Sequence, residues 1–331
     1  MRRFLILLTL FACQRAPKDP CTRFDGVSLQ MPYAVIVGKQ LTQKERLLVS
    51  TTIDQTLQEI DLLFNEKNPE SEISKLNSAP ALTPFPLSEK LASALALCSQ
   101  VQELSGGRFD PTIEPLREVW EKALENKRAP EPARLQAACD AIGWERLSFT
   151  GTSCTKKTAA AKLNLSAVSR GIFVDWMIER LKALGFLDLF VEWSGEIRAS
   201  GRHPDGTIWS VPINPALTSG GKPMPPIVLD NKALSTSGEK VRSSWCLGPK
   251  ASPDGEAHRY FNIIDPLTAQ PIELTFYSIA SSVVIAPSCA LADALATAAL
   301  LFNSRKEAES WAQEVVELHP EVSFWIISHK K

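Results

Sequence analysis

Histidine is scarce in this chain. Only His203, His258, His319 and His329 occur in 331 residues, so an enzyme built on a Ser-His-Asp triad is poorly supplied. No GxGxxG, HExxH or GxSxG element is present, which removes the usual marks of a dinucleotide fold, a zinc peptidase and a nucleophile elbow. Ser219-Gly220-Gly221-Lys222 is not a phosphate loop, because Ala216 stands where the first glycine belongs and Pro223 follows the lysine. Net charge is almost absent too. The 36 basic and 37 acidic residues leave −1, with no long basic tract, so no nucleic-acid surface is expected. None of the seven cysteines falls in a CxxC or finger spacing, which argues against structural zinc. The apolar run from Phe4 to Ala12 is far below the roughly 20 residues of a membrane-spanning helix.

What is present is a core. With 44% hydrophobic residues, the chain can bury a large interior as one big domain or two. Its first residues, MRRFLILLTLFAC, combine two arginines, a short apolar stretch and Cys13, which suits a secretory leader over residues 1–12. The polar, proline-containing segment after it reads as a tether over 13–26. No Pro/Gly-rich linker divides the remainder, so residues 27–331 read as one integrated unit. If Cys13 is modified, the other six cysteines face an oxidising compartment, where one or more disulfides are open to them. Cys98 and Cys289 sit in apolar helical runs and read as buried thiols.

Hydrophobic periodicity places a strand at Tyr33–Val37 and a long helix at Thr42–Phe64, with Leu47, Leu48, Ile53, Leu57, Ile60 and Leu63 on its inner face. Further helices are expected from Ser71, over Ser88–Leu104 and over Pro132–Ile142. The second half alternates faster. Strands are expected at Leu163–Val168, Leu189–Trp193, Trp209–Ile213, Tyr260–Ile264 and Tyr277–Ile285, with a strand running into a turn over Asn231–Gly238 and a helix at Gly171–Leu184. A helix over Ala286–Leu301 and a last pair, Ser304–Leu318 and Val322–Ile327, close the chain. Helices early and strands late suggest an α+β fold.

The most informative stretch is APSCALADALATAALL, residues 286–301. It reads as a buried helix, yet it carries Asp293 and Thr297. Four residues apart, these face one side of the helix. A carboxylate and a hydroxyl aimed together out of an apolar helix make half of a hard-cation site. The plainer alternative is a hydrogen bond from Thr297 to Asp293 or to the helix backbone. Around them stand small-residue turns bearing oxygen or amide groups: Gly106–Thr112, with Arg108, Phe109 and Asp110; Ser166–Gly171, opening a helix whose N-terminus suits phosphate; Thr236-Ser237-Gly238-Glu239; and Asn262–Thr268, with Asp265. Each alone is an ordinary turn. Together with Asp293 and Thr297 they suggest a metal-assisted site for a phosphorylated ligand.

In order along the chain, NPESEISKLN (68–77), SGGRFDPTIEPL (105–116), LNLSAVSRGIFVD (163–175), VEWSGEIRASG (191–201), ALSTSGE (233–239), IIDPLTAQP (263–271) and APSCALADALATA (286–298) resemble the motifs of the ApbE family of FAD:protein FMN transferases. The resemblance covers nearly the whole chain after the leader. It implies the ApbE fold and a Mg²⁺-dependent transfer of FMN from FAD to a threonine or serine hydroxyl, with AMP released. By motif match, the main-chain oxygen of Ala167, the carboxylate of Asp293 and the hydroxyl of Thr297 would hold Mg²⁺. Arg108, Phe109, Asp110, Asn164, Arg170, Ser237, Asp265 and Thr268 would bind FAD. Leu10-Phe11-Ala12-Cys13 likewise resembles a bacterial lipoprotein signal, implying a lipid anchor at Cys13 on the periplasmic side of the cytoplasmic membrane. The implied acceptor is a subunit of a sodium-translocating NADH:quinone reductase or a related redox complex.

The chain departs from the family pattern at several points. Arg170 replaces a lysine, Ser194 the first of two glycines, and Ala269 the glycine of DPxTG. Lys67 stands where an aromatic is common. Asn262 stands where a histidine usually precedes IIDP, and an amide cannot take a proton from the attacking hydroxyl. Asn262 nonetheless falls at the catalytic position. Two other readings follow: an FAD pyrophosphatase, with water as the acceptor, and a lipid-anchored FAD-binding protein without catalysis.

Overall fold

The computed structural model describes residues 20–212, 225–238, 245–248, 256–275 and 278–328. The leader, Cys13, the first half of the tether (13–19) and Ser219–Lys222 lie outside the described residues. The chain opens with a hairpin, β1 (Thr22–Ser28) and β2 (Met31–Val37), followed by α1 (Gln43–Phe64), α2 (Glu72–Ser78), β3 (Pro84–Pro86), α3 (Glu89–Leu104), α4 (Glu114–Glu125) and α5 (Pro132–Cys139). Then come β4 (Leu147–Thr150), β5 (Ser153–Lys156), α6 (Ser166–Ala183), β6 (Leu189–Trp193), β7 (Glu196–Ser200), β8 (Ser210–Val211), β9 (Ile227–Val228) and β10 (Ala233–Gly238). The last part holds β11 (Trp245–Leu247), β12 (His258–Asp265), β13 (Gln270–Glu273), β14 (Ile279–Ala286), α7 (Cys289–Leu300), α8 (Arg305–Leu318) and β15 (Ser323–Ser328).

Seven of these strands form one sheet in the order β1-β2-β6-β7-β10-β14-β15. Every neighbouring pair in it is antiparallel. Successive side chains of a strand point to opposite faces. Val35, Val37, Val191, Trp193, Ala233 and Val284 therefore enter the main core, while Ile197, Leu234 and Ile285 join Trp209 and Leu229 in a smaller cluster. Helices α6 and α7 cover the main-core face and touch each other, with α1 against α6. A third cluster, Leu116, Trp120, Leu124, Ala138, Leu247 and Ile264, joins α4 and α5 to the small sheet β11-β12-β13. Helices and antiparallel sheets thus make an α+β fold, as expected.

Several boundaries differ from the sequence reading. Residues 22–26, assigned to the tether, form most of β1. The hairpin turns on Leu29 and Gln30, whose φ angles are 48° and 62°. That is the left-handed pair a two-residue hairpin requires, built here without the Asn-Gly signal that announces it. The expected strand Leu163–Val168 is instead the entry to α6, five residues ahead of the expected helix start. The side chain of Asn164 accepts the N–H of Ser166 at 2.9 Å, so an Asx turn begins the helix. Helix α4 was not anticipated, although Leu116, Trp120, Ala123 and Leu124 form a buried stripe at helical spacing. In α1 the buried residues are Val49, Thr52, Ile53, Thr56, Ile60 and Phe64. Leu47 and Leu48 lie off this stripe and are 68% and 41% exposed. The strand placed at Trp209–Ile213 is only Ser210–Val211, and α5 stops at Cys139 rather than Ile142. No disulfide joins the described cysteines, and Cys98, Cys154 and Cys289 are fully buried.

Candidate active site

The site begins with how closely α6 meets α7. A Cβ on Gly171 would lie 2.5 Å from the carbonyl oxygen of Cys289 and 2.6 Å from the backbone of Ala290, so only glycine permits this approach. One helical turn later, the carboxylate of Asp175 accepts the N–H groups of Cys289 (2.8 Å) and Ala290 (2.9 Å), placing its negative charge at the N-terminus of α7. Arg198 on β7 closes the other side at 3.0 Å. These contacts set the register of the two helices. The alanines of α7 keep it thin enough to lie between α6, α3 and the sheet.

In that register Asp293 faces the first turns of α6. Its Oδ2 accepts the N–H of Gly171 at 3.3 Å, and its Oδ1 lies 3.4 Å from Nη2 of Arg170. An α-helix directs the N–H of residue 171 at the carbonyl of residue 167. The main-chain oxygen of Ala167 and the carboxylate of Asp293 therefore converge on one N–H. Thr297, a turn beyond Asp293, does not use its hydroxyl in the bond to Asp293 that the plainer alternative offered. Instead Oγ1 lies 3.3 Å from Oγ of Ser237 on β10. The three donors are all oxygens, suited in type to a hard divalent cation. Among the described residues no group of three His, Cys, Asp or Glu side chains converges on a metal site, and the trio here contains a single carboxylate.

Beside this junction opens a cavity of about 530 Å³, within the usual range for a small-molecule site. Nine of the residues singled out from sequence line it: Arg108, Phe109, Asp110, Asn164, Ala167, Arg170, Ser237, Asn262 and Thr297. Asp293 is not on the wall. It is fully buried immediately behind Arg170. Asp265 and Thr268 are not on the wall either. Thr268 donates its hydroxyl to Asp265 at 3.1 Å, and the N–H of Leu267 bonds the same carboxylate at 3.0 Å, closing the turn between β12 and β13. In this structure they shape the hairpin rather than the cavity surface.

Three arginines face the cavity, and each is held. Arg108 donates to the carbonyl of Leu301 at 3.0 Å, its guanidinium 4.7 Å above the Phe302 ring. Arg170 lies between Glu196 (2.9 Å) and Asp293. Burial opposes the Arg170 charge, but the two carboxylates outweigh it and hold the guanidinium above its ordinary range. Arg117 is gripped by Glu114, Glu121 and Glu66. Burial pushes the Asp110 carboxyl up, although Thr112 donates both its N–H and its hydroxyl to it, at 2.8 and 2.7 Å. Glu66, Glu114, Arg117 and Glu196 escaped the sequence reading. The Glu66–Arg117 and Arg170–Glu196 pairs span distant segments and left no local pattern, whereas the i,i+3 pair of Glu114 with Arg117 and the helical stripe under Arg117 were there to be read.

Residues 28–320 match the sequence profile of the ApbE family. The chain belongs to the ApbE family. It is 35% identical over 313 residues to an FAD:protein FMN transferase of Chlamydia pneumoniae, covering 94% of each chain. It is 26% identical over 312 residues to one of Vibrio cholerae, covering 92% of this chain and 89% of that one. Among solved structures, the apo form of a flavinyl transferase ApbE of Pseudomonas stutzeri superposes with a TM-score of 0.78 at 27% identity, covering 94% and 92% of the two chains. Within this ApbE frame the departures acquire positions. Asn262 is exposed on the cavity wall, on β12. Lys67 is exposed and absent from the wall, its N–H bound to Asn65 at 3.0 Å. Arg170 keeps a cation beside the only carboxylate of the oxygen trio.

Proposed function

We propose that this chain is an FAD:protein FMN transferase acting on a threonine or serine hydroxyl of an exported protein and releasing AMP. What supports the reading is a cavity lined by Arg108, Ala167, Arg170 and Thr297, with Asp293 buried directly behind Arg170. Bound there, Mg²⁺ would neutralise pyrophosphate charge and polarise the phosphorus toward attack. The chain's own residues do the rest. Arg108 and Arg170 attract the diphosphate, and burial strengthens that attraction. Asp293 keeps Arg170 charged and aimed. The Ser237 and Thr297 hydroxyls line the same wall. In the transfer itself, the acceptor oxygen bonds the FMN-side phosphorus, the bond from that phosphorus to the AMP oxygen breaks, and the hydroxyl proton passes to solvent as AMP departs.

The lipoprotein-like leader supports attachment through Cys13 on the periplasmic face of the cytoplasmic membrane. There the acceptor would be a subunit of a sodium-translocating NADH:quinone reductase or a related complex. Co-expression with such an acceptor domain, followed by intact mass, tests the reading. Wild type should add one FMN per acceptor, and Asp293→Ala should abolish the addition while keeping its fold. An acceptor mass unchanged by wild type, with FAD and Mg²⁺ supplied, would refute it. One observation favours a second reading. Asn262 puts no titratable group on the wall, so water could replace the protein hydroxyl and the enzyme would act as an FAD pyrophosphatase. AMP and free FMN released without an acceptor would identify that activity.

A further inference from the structure

Arg117 lies on α4, one helical turn beyond Ile113, which precedes the helix, and both residues line the cavity. Its guanidinium is enclosed in its own plane. Nε and Nη2 donate to the two oxygens of Glu114 at 2.7 and 2.6 Å, and Nη1 donates to Glu121 at 2.6 Å. Glu66 stands 3.6 Å from Nη2. A guanidinium binds phosphate through these in-plane N–H groups. Here one N–H from each of its three nitrogens is directed at a carboxylate, and three glutamates surround one positive charge. This end of the cavity therefore disfavours an anion. What the cation offers most freely is its flat face.

We propose that Arg117 is a stacking platform for a planar aromatic ring, and that it decides which end of the dinucleotide lies where. The platform rests on the flavin-transfer reading and extends it. Ile113, a helical turn from Arg117, and Ile264 line the same cavity and offer a ring apolar surroundings. A guanidinium whose edges are already paired stacks with little further loss of side-chain freedom. Arg108 and Arg170 take the diphosphate, so the ring held at Arg117 sets the direction of the molecule across the site. Glu114 ties the platform to the catalytic junction. The oxygen that accepts from Nε of Arg117 also accepts from the side-chain amide of Asn164 at 2.6 Å. Asn164 in turn opens α6 through its bond to Ser166. Arg117 is thus a positioning residue that touches the substrate ring and no reacting atom.

The test compares FAD affinity, by flavin fluorescence, in the full-length wild type and in Arg117→Lys, which keeps the charge between the glutamates but removes the plane. Arg117→Lys should weaken FAD about tenfold, in keeping with a cation–π contact. Its KM for FAD should rise by more than its kcat falls, the split expected of a residue that holds the ring and touches no reacting atom. If Arg117→Lys binds FAD as tightly as wild type, the platform is wrong and the transferase reading stands. If wild type binds no FAD, both fall. Should Arg117→Lys not fold, wild type alone decides. Riboflavin and adenosine, which are rings without phosphate, are then tried as competitors of FAD. Competition by either, nearly independent of salt, supports the platform and names the ring. Competition by neither at millimolar concentration overturns it.

Discussion

Asn262 has no proton to exchange between pH 5 and 8, because a side-chain amide does not titrate. An imidazole at the same point would, with an unperturbed pKa of about 6.5. In the Asn262→His variant, kcat/KM for FAD should therefore acquire a rise through this range as the base loses its proton, and the rate at pH 8 should increase on the order of 100-fold. Superimposable pH profiles for the two proteins would mean that residue 262 does not meet the acceptor hydroxyl. At this scale, part of the site was visible in the linear chain. Asp293 and Thr297 stand out because a carboxylate and a hydroxyl four residues apart contrast with an alanine-rich helix. Arg117 and Glu114 did not, since charged residues on an amphipathic helix are ordinary. Only the enclosure of the guanidinium by Glu66, far from it in sequence, distinguishes them. Asp265 and Thr268 show the converse. Their spacing suggested a binding turn, and they bond each other.

The α6–α7 junction depends on the absence of one methyl group. Gly171→Ala places a Cβ where the α7 backbone already stands, and neither helix can yield freely. Asp175 fixes the start of α7, and Arg170 bonds Asp293 across the gap. Overpacking of this kind costs about 1–3 kcal/mol, a fall of a few degrees in melting temperature for a chain of this size. FAD binding should weaken in the same variant, because Ala167 and Asp293 move apart. A melting temperature within one degree of wild type would show that the helices accommodate the methyl. The elements that were easy to read carry their own punctuation. Thr42, Ser71, Ser88 and Ser304 each cap a helix through the side chain. The elements that were missed lack it. α4 has no side-chain cap, and Ile113 precedes it. The β1–β2 turn uses Leu29 and Gln30 in a conformation that glycine and asparagine usually adopt.

Across the whole molecule, the cavity lies between two bodies of structure. One is the seven-stranded sheet with α6 and α7. The other is α4 and α5 with β12 and β13, held by a separate apolar cluster around Trp120. Trp120 is buried, and its indole N–H reaches the carbonyl of Ala269 at 2.9 Å. Trp120→Ala removes both the packing and the bond, costing about 3–5 kcal/mol. The loss should be local. Amide exchange should quicken in α4 and in β12–β13 while the large sheet keeps its protection, because cooperative units open separately. Uniform quickening would show a single unit instead. The α+β class was readable from the sequence because most strands and helices have clear periods. How the two bodies face each other was not, since no local signal records a contact between residues 120 and 269.

The cavity wall draws on residues 31, 108, 164, 194, 237, 262 and 297, which lie along nearly the entire polypeptide. Synthesis therefore delivers nothing able to hold a dinucleotide until the final hundred residues or so are nearly finished. A chain truncated before α7 would lack Asp293 and Thr297 and the helix that α6 packs against. Long-range closures of this sort are slow to form, so growing chains spend an interval without a ligand to steady them. FAD arriving after release should then speed the last stage of maturation.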